Sequence, residues 1–242
     1  YVMSASLVGS EMCIRDRIMA DEIISNPPYN IKWDAPEPLL ADERFSDGPI
    51  PPSSNANFAF VLTALSRMKK GGRCAFILPC GCLSSDSEAE VREYLVSAGL
   101  VERVIVNPDK MFESTSIPTC VIVFSHGNKK IKFYDCRKKA EQEQRDQNGQ
   151  FGGASHENRT YHKTVNVLPD ALIDELCGEC QEVAGFSQEI ELSQIAEQGY
   201  ILVPSRYIKF EEKGEAHRPY ADIMADINRV ARERSVIMIT CN

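Results

Sequence analysis

The sequence is short of basic side chains, of tryptophan and of long apolar runs. Among its 242 residues, 27 are Lys or Arg, 35 are Asp or Glu and one is Trp, and the formal net charge is −8. Broad electrostatic capture of nucleic acid needs clustered basic groups, so this charge argues against a chain that binds phosphates unaided. No stretch approaches the roughly 20 apolar residues of a membrane helix, and Glu11 and Arg15 interrupt the apolar N-terminus. We therefore expect a cytoplasmic protein with no membrane partner.

A disulfide framework and a metal centre are not indicated either. Nine cysteines, an odd number, are scattered along the chain, which is typical of reduced thiols inside the cell. The one Cys-x-x-Cys pair, Cys177 and Cys180, lacks a second pair at the spacing of a zinc site. Cys136, His156 and His162 could in principle assist, but apolar side chains on a helix are the simpler interpretation. We predict no metal.

The sequence does contain an alternation of apolar strands and amphipathic helices. Residues 1–20 show neither periodicity nor turn signals and are interpreted as a non-native leader. Apolar segments predict strands at 21–25, 73–79, 101–106 and 119–124, with a possible extension at 131–134, and a second periodic segment predicts a helix at 85–98. The alternation favours a parallel sheet covered by helices, and the closely spaced last strands suggest an antiparallel finish.

A first helix is predicted between these strands. Ser and Asn side chains up to Asn55 can cap it, apolar residues from Phe58 to Met68 follow at helical spacing, and the basic pair before Gly71 is typical of a helix end.

The C-terminal part of the sequence is more polar. Residues 137–159 are interpreted as a mobile surface loop, and residues 168–183 and 220–236 as helices, the last with Ile223, Ile227 and Val230 on one stripe. We therefore expect a catalytic region at 21–165 and a helical region at 166–242.

The most informative motif is Asn26-Pro27-Pro28-Tyr29, at the end of the first predicted strand. Ligands meet doubly wound sheets at the carboxyl ends of the strands. A planar amino group is a poor nucleophile until acceptors hold its N–H bonds. Asn26 offers a side-chain oxygen, and Pro27, biased toward an extended conformation by Pro28, offers a rigid carbonyl. Tyr29 offers a face for a base turned out of a duplex. A proline turn that closes a strand is the structural alternative.

The tetrapeptide resembles the motif of S-adenosylmethionine-dependent amino-group methyltransferases, whose substrates are DNA adenine N6, RNA guanine N2 or protein glutamine N5. Later segments narrow the choice: residues 54–60, 70–79, 111–124 and 200–208 resemble successive blocks of the modification subunit of type I restriction systems. That resemblance implies a partial Rossmann-like class I methyltransferase sheet followed by C-terminal helices. It also implies double-stranded DNA, a specificity subunit and a restriction subunit as partners.

The resemblance also implies residue roles. Asn26 and Pro27 would hold the adenine amino group, Tyr29 would stack on the ring, and Phe112 would pack on the flipped base from the other side unless it is a core residue. Asn55 and Asn57 could face the DNA, although Asn55 could equally cap a helix. Arg206 and Lys209 could reach phosphate, although Arg206 could equally brace the Pro-Ser-Arg-Tyr turn.

The sequence departs from the family in one respect. The Gly-rich turn and the acidic residue that hold S-adenosylmethionine lie upstream of the tetrapeptide in the family, and only Gly9 precedes Asn26 here. We therefore expect an N-terminally truncated methyltransferase with no cofactor-binding residues of its own, inactive alone. A non-catalytic fragment that binds the specificity subunit is the alternative.

Overall fold

A six-stranded mixed sheet organises the first of two units, residues 1–209; the second is residues 210–242. The computed structural model describes residues 19–33, 45, 48–112, 116–148, 160–209 and 220–240. Most of the predicted leader, and residues 149–159 of the predicted loop, lie outside these ranges.

The described strands, in chain order, are β1 (Ala20–Ser25), β2 (Met68–Pro79), β3 (Val101–Val106), β4 (Thr119–Phe124), β5 (Lys130–Asp135), β6 (Glu141–Asn148), β7 (Thr160–Val167) and β8 (Ser187–Glu191). The sheet order is β1-β2-β4-β3-β5-β8. β1, β2, β3 and β5 run in one direction, and β4 and β8 run against them. The predicted α/β fold, with a mostly parallel sheet and an antiparallel finish, is confirmed. The carboxyl ends of the parallel strands consequently share one edge, the carboxyl edge.

The described helices are α1 (Asn57–Leu65), α2 (Ala89–Ser97), α3 (Asp170–Cys177), α4 (Leu192–Glu197) and α5 (Tyr220–Thr240), with short 3-10 helices at Cys80–Leu83, Asp86–Glu88 and Pro204–Arg206. All six positions of β3 are buried, as expected for a strand covered on both faces. α1 buries its first six residues. Between the paired strands β2 and β4, the ring centroids of Phe76 and Phe124 lie 6.2 Å apart in an edge-to-face contact.

The first helix ends earlier than its periodicity predicts. α1 stops at Leu65, and Met68 begins β2 and pairs with Ala20. The side chain of Met68 is 3% exposed, so its apolar character serves the sheet rather than the helix. The basic pair before Gly71 lies within the strand, where the β1–β2 register is irregular.

The predicted polar loop is partly wrong, because β6 and β7 form a two-stranded antiparallel ribbon. β6 consists of polar residues exposed from Glu141 to Asp146, so it lacks the apolar alternation that identifies a half-buried strand. The predicted helix at 168–183 is also shorter: α3 ends at Cys177.

The structural division of the chain falls after Lys209, whereas the sequence suggested a division at 165/166. The reason is β8, which pairs with β5 and so joins residues beyond 166 to the main sheet.

The second unit contains α5. This helix extends beyond the predicted 236 to Thr240. Its stripe of Ile223, Ile227 and Val230 is exposed by 41, 54 and 57%. No helix among the described residues is long and apolar enough to cross a membrane.

Two left-handed glycines provide a matched test of the turn between α2 and β3. A Cβ on Gly99 (φ +64) would lie 2.7 Å from the backbone oxygen of Asn128, whereas a Cβ on Gly199 (φ +67) would have no neighbour within 4 Å. We expect Gly199→Ala to lower the free energy of unfolding by about 1–2 kcal/mol through backbone strain. Gly99→Ala should cost about 1–3 kcal/mol more because of the clash. Urea denaturation measures both, and equal losses would contradict this account of the turn.

Candidate functional site

The Asn-Pro-Pro-Tyr motif lies at the carboxyl edge, directly after β1. The last β1 residue, Ser25, pairs with Phe76 of β2. Pro27 is buried, whereas Asn26 and Pro28 are exposed. The buried proline anchors the turn while the Asn26 carboxamide remains accessible at the edge.

Tyr29 and Asn26 contact each other. The Tyr29 hydroxyl donates a hydrogen bond of 2.7 Å to Asn26 Oδ1. Burial, and secondarily the nearby Cys120, raises the pKa of the Tyr29 phenol, so the hydroxyl stays protonated and able to donate. An amide oxygen accepts two hydrogen bonds. Asn26 Oδ1 therefore has a fixed direction and one acceptor position left.

The next residue, Asn30, has a left-handed backbone (φ 53) and is held by Asn57. Its N–H donates to Asn57 Oδ1 at 3.1 Å, and Asn57 Nδ2 donates back to Asn30 Oδ1 at 3.2 Å. The N–H of Ala56 donates to the carbonyl of Ile31 at 2.8 Å. These hydrogen bonds connect the start of α1 to the chain that follows the motif.

The two asparagines predicted to face the DNA differ in position. Asn57 is 1% exposed and lies beneath the motif. Asn55 is partly exposed, and its Oδ1 accepts a 3.3 Å hydrogen bond from the backbone N–H of Asn57. That contact supports the first turn of α1, although the N-cap residue itself is Ala56.

Two buried charged residues continue inward from Asn57. Asn57 Nδ2 lies 3.5 Å from Oε1 of Glu88, which is 2% exposed. Burial raises the pKa of Glu88, and a hydrogen bond with Asn57 and the charge of Arg92 act in the opposite sense. Arg92 is 1% exposed and donates to the carbonyls of Cys82, Ser85 and Tyr200 at 3.1, 2.7 and 3.1 Å.

Trp33, the only tryptophan in the sequence, anchors the chain a few residues after the motif. The Trp33 backbone N–H donates to the Ser53 carbonyl at 3.1 Å, and its indole N–H donates to the Pro52 carbonyl at 2.9 Å. Its ring lies 5.9 Å from that of Phe45. Because it lies four positions after Tyr29, this indole is a natural reporter of the loop.

Phe112 is half-buried and follows β3, whose carboxyl end lies at the same edge of the sheet as the motif. Among the described ring contacts, none joins Phe112 to Tyr29. The segment before it is tied to β7, because Asn166 Nδ2 donates to the Asp109 carbonyl at 2.5 Å. The predicted role of Phe112 at the base stays a prediction.

Further charged and thiol groups lie at the carboxyl edge. Arg137 makes a 2.5 Å ion pair with Asp135 at the end of β5. Burial works against the charged carboxylate, but the bonds from Arg137 outweigh it and lower the pKa of Asp135. A hydrogen bond from Cys120 lowers the pKa of the Cys80 thiol. Arg206 and Lys209 are exposed.

Sequence reasoning missed Asn30, Glu88 and Arg92. Asn30 continues the motif, but its partner is 27 positions away. Glu88 stands three residues after Ser85, the spacing of a helix capping box, so it indicated only a helix start. No group of three or more His, Cys, Asp or Glu side chains in the described part of the chain could hold a metal ion.

Comparison with known proteins identifies the family. Residues 6–216 match the model of the N-6 DNA Methylase family. That match begins within the predicted leader. It includes the motif, helices α1 and α2 and the segment at 200–208.

Several relatives are methylase subunits. The chain is 31% identical over 200 residues to the type I restriction enzyme MpnII methylase subunit of Mycoplasma pneumoniae, covering 80% of this chain and 34% of the relative. It is 29% identical over 220 residues to the HindI methylase subunit of Haemophilus influenzae, covering 88% and 47%. The chain thus spans between a third and a half of these relatives.

A solved structure agrees with the sequence comparison. The type I restriction-modification methyltransferase subunit of Streptococcus thermophilus superposes with a TM-score of 0.66 and 27% identity, covering 83% of this chain and 40% of that one. With most of its length matched by the family model, this chain belongs to the N-6 DNA methylase family.

Proposed function

We propose that the protein containing this chain is the modification subunit of a type I restriction system and methylates the N6 amino group of a flipped adenine in double-stranded DNA. The observation that carries the proposal is the accessible, oriented Asn26 carboxamide at the end of β1, held by Tyr29 at 2.7 Å. The family match and the similarity to methylase subunits support it.

The acceptor geometry suits an exocyclic amino group. With Tyr29 on one lone pair, Asn26 Oδ1 can take one N–H of the amino group on the other. The Pro27 carbonyl can accept the second N–H. It is held rigidly, because burial of Pro27 and the ring of Pro28 both restrict its backbone. Two fixed acceptors hold the N–H bonds, so the nitrogen can pyramidalise and its lone pair leaves conjugation with the ring to attack the methyl group. One N–H proton is lost to solvent after the transfer. This is catalysis by positioning and preorganised dipoles, without a general base.

S-adenosylmethionine supplies the electrophilic methyl group when it is bound. The described residues contribute the acceptors of the amino group, and none of them is assigned to the cofactor's ribose. The outer edge of β1 has no strand partner within the described ranges, so further strands could pair there. We infer that such strands carry the cofactor contacts.

A protein glutamine or an RNA guanine remains the alternative substrate, since both present a planar amino group to the same acceptors. Adenine is favoured because the two relatives described above are methylase subunits of restriction enzymes. Methylation of DNA, ribosomal RNA and release-factor substrates by the full-length protein separates these possibilities.

Substitutions in the motif test the mechanism in the full-length protein assembled with its specificity subunit. We expect Asn26→Ala to lower kcat/KM for DNA methylation by about 100- to 1000-fold, by analogy with the loss of one preorganised dipole. Tyr29→Ala should lose base stacking, worth roughly 1–3 kcal/mol. Tyr29→Phe keeps the ring and loses only one hydrogen bond, roughly 1 kcal/mol.

The matched control is Gln198→Ala, which removes an exposed amide following α4 and should leave methylation unchanged. An Asn26→Ala enzyme that methylates DNA at the wild-type rate would refute the acceptor role. Equal losses for Tyr29→Phe and Tyr29→Ala would assign the contribution of Tyr29 to its hydroxyl rather than its ring.

We also propose that α5 pairs with a helix of the specificity subunit. Ile223, Ile227 and Val230 recur at helical spacing and are each more than a third exposed, which is typical of a helix face that packs against another helix. A purely structural fragment, active only in binding, is the competing function, and it depends on the same face.

A capture experiment tests the role of α5. Immobilised specificity subunit should retain the intact chain and lose a chain that lacks residues 220–242. Ile227→Asp should weaken capture at least tenfold, because it buries a charge in an apolar interface. Ala225→Asp places the same charge on the opposite side of the helix and should have little effect. Equal capture of the intact and shortened chains would remove α5 from the interface.

A further inference from the structure

Asn57 is a buried polar residue that bonds Asn30, the residue after the motif, and packing alone does not explain it. The neighbouring buried positions of α1 are Phe58, Ala59, Phe60 and Val61. Burying a carboxamide among such side chains costs free energy unless its atoms find partners. The partners present are Asn30 on the motif side and Glu88 on the inner side.

Asn30 and Glu88 together fix the orientation of the Asn57 amide. The Asn30 N–H can only donate, so the Asn57 oxygen must face it, and the NH₂ group then faces Asn30 Oδ1 and Glu88 Oε1. The two hydrogen bonds with Asn30, of 3.1 and 3.2 Å, then close a ring that a reversed amide could not form. That ring holds Asn30 in its left-handed conformation, which is uncommon for a residue other than glycine.

Glu88 is itself held in a rigid frame. Arg92, one helical turn later, donates to carbonyls of Cys82, Ser85 and Tyr200, and the Leu202 N–H donates to the Leu83 carbonyl at 2.9 Å. The segment at 200–208 therefore braces the turn that carries Glu88. The Glu88 N–H also donates to the Ser85 carbonyl at 3.2 Å. Hydrogen bonds therefore connect this segment, through Arg92, Ser85, Glu88 and Asn57, to the residue beside Tyr29.

We propose that Asn57 is a positioning residue for methyl transfer: held by Glu88, it fixes the backbone at Asn30 and thereby aims the acceptors of Asn26 and Pro27. The proposal rests on the function proposed above, because it assigns a task within the same site. It also changes the role suggested for Asn57 by the sequence, from a direct contact with DNA to support of the motif from beneath.

The test uses Asn57→Ala and Asn57→Asp in the full-length protein, with Asn128→Ala as the matched control. Asn128 is a partly buried asparagine in the turn before β5, at the opposite edge of the sheet from the motif. Its Nδ2 donates to the backbone carbonyls of Gly99 and Ser125. Asn57→Asp keeps the shape of the side chain but turns an oxygen toward Glu88 and Asn30. Glu88→Gln keeps an acceptor and removes the charge.

The first readout is amide hydrogen exchange. Both Asn57 variants should speed exchange at the Asn30 amide at least tenfold and leave Ile122, in the central strand β4, unchanged. Trp33 emission should shift with the loosened loop. Glu88→Gln should give a smaller effect, and Asn128→Ala none at Asn30.

The second readout is steady-state methylation of DNA. For both Asn57 variants we expect kcat to fall by about 10- to 100-fold, because misplacing acceptors by a fraction of an ångström impairs the chemical step. The KM for S-adenosylmethionine should change less than threefold. Asn128→Ala should keep its kcat even if it lowers stability, which separates positioning from general destabilisation.

The two readouts distinguish the possible failures. Unchanged exchange at Asn30 in both Asn57 variants overturns the positioning role, whatever the activity. Faster exchange with an unchanged kcat overturns it as well, because the loop would then be dispensable for chemistry. If the wild-type protein methylates no DNA, the proposed function fails, and the exchange measurement still decides whether Asn57 holds the motif.

Discussion

The part of the fold that supports the candidate site depends on the burial of one guanidinium group. Arg92 is 1% exposed, and removing a cation from water is costly unless its donors are satisfied. Its donors reach carbonyls in the 3-10 turn after β2, in the following turn and at Tyr200. Because the Tyr200 carbonyl lies 108 positions from Arg92, satisfying this guanidinium ties the segment at 200–208 to the start of α2. Removal of Arg92 would take a donor from three carbonyls and a nearby positive charge from the buried Glu88.

The core strands were predictable because their signal is local. β3 and β4 begin and end where the apolar runs do, at Val101–Val106 and Thr119–Phe124. The start of β2 was not predictable, since Met68 fits a helical stripe and a strand equally well until its pairing with Ala20 is known. β6 was missed because it is stabilised by its pairing with β7 rather than by burial. Such pairing does not require an alternation of apolar and polar residues in the sequence.

The candidate site divides in the same way. Asn26 to Tyr29 could be identified because four adjacent residues carry the chemistry and a strand end positions them. The orientation of Asn26 by Tyr29 is local as well, spanning three positions. The support beneath the motif was hidden, because Asn57 and Glu88 meet across 31 positions and both stand at helix starts, where polar residues are usual. Sequence patterns indicate what a residue can do, and tertiary contacts decide what it touches.

The position of β1 has a consequence for thermal behaviour. Within the described residues β1 pairs only with β2, and Ile24 is 68% exposed. A strand hydrogen-bonded on one side opens locally at lower free energy than one in the centre of a sheet. The motif is therefore attached to a strand that opens easily until another strand covers it, and the hydrogen bonds with the start of α1 delay its release. Pairing at the outer edge of β1 would then stabilise the motif locally, a gain visible in hydrogen exchange more than in the calorimetric transition of the whole unit.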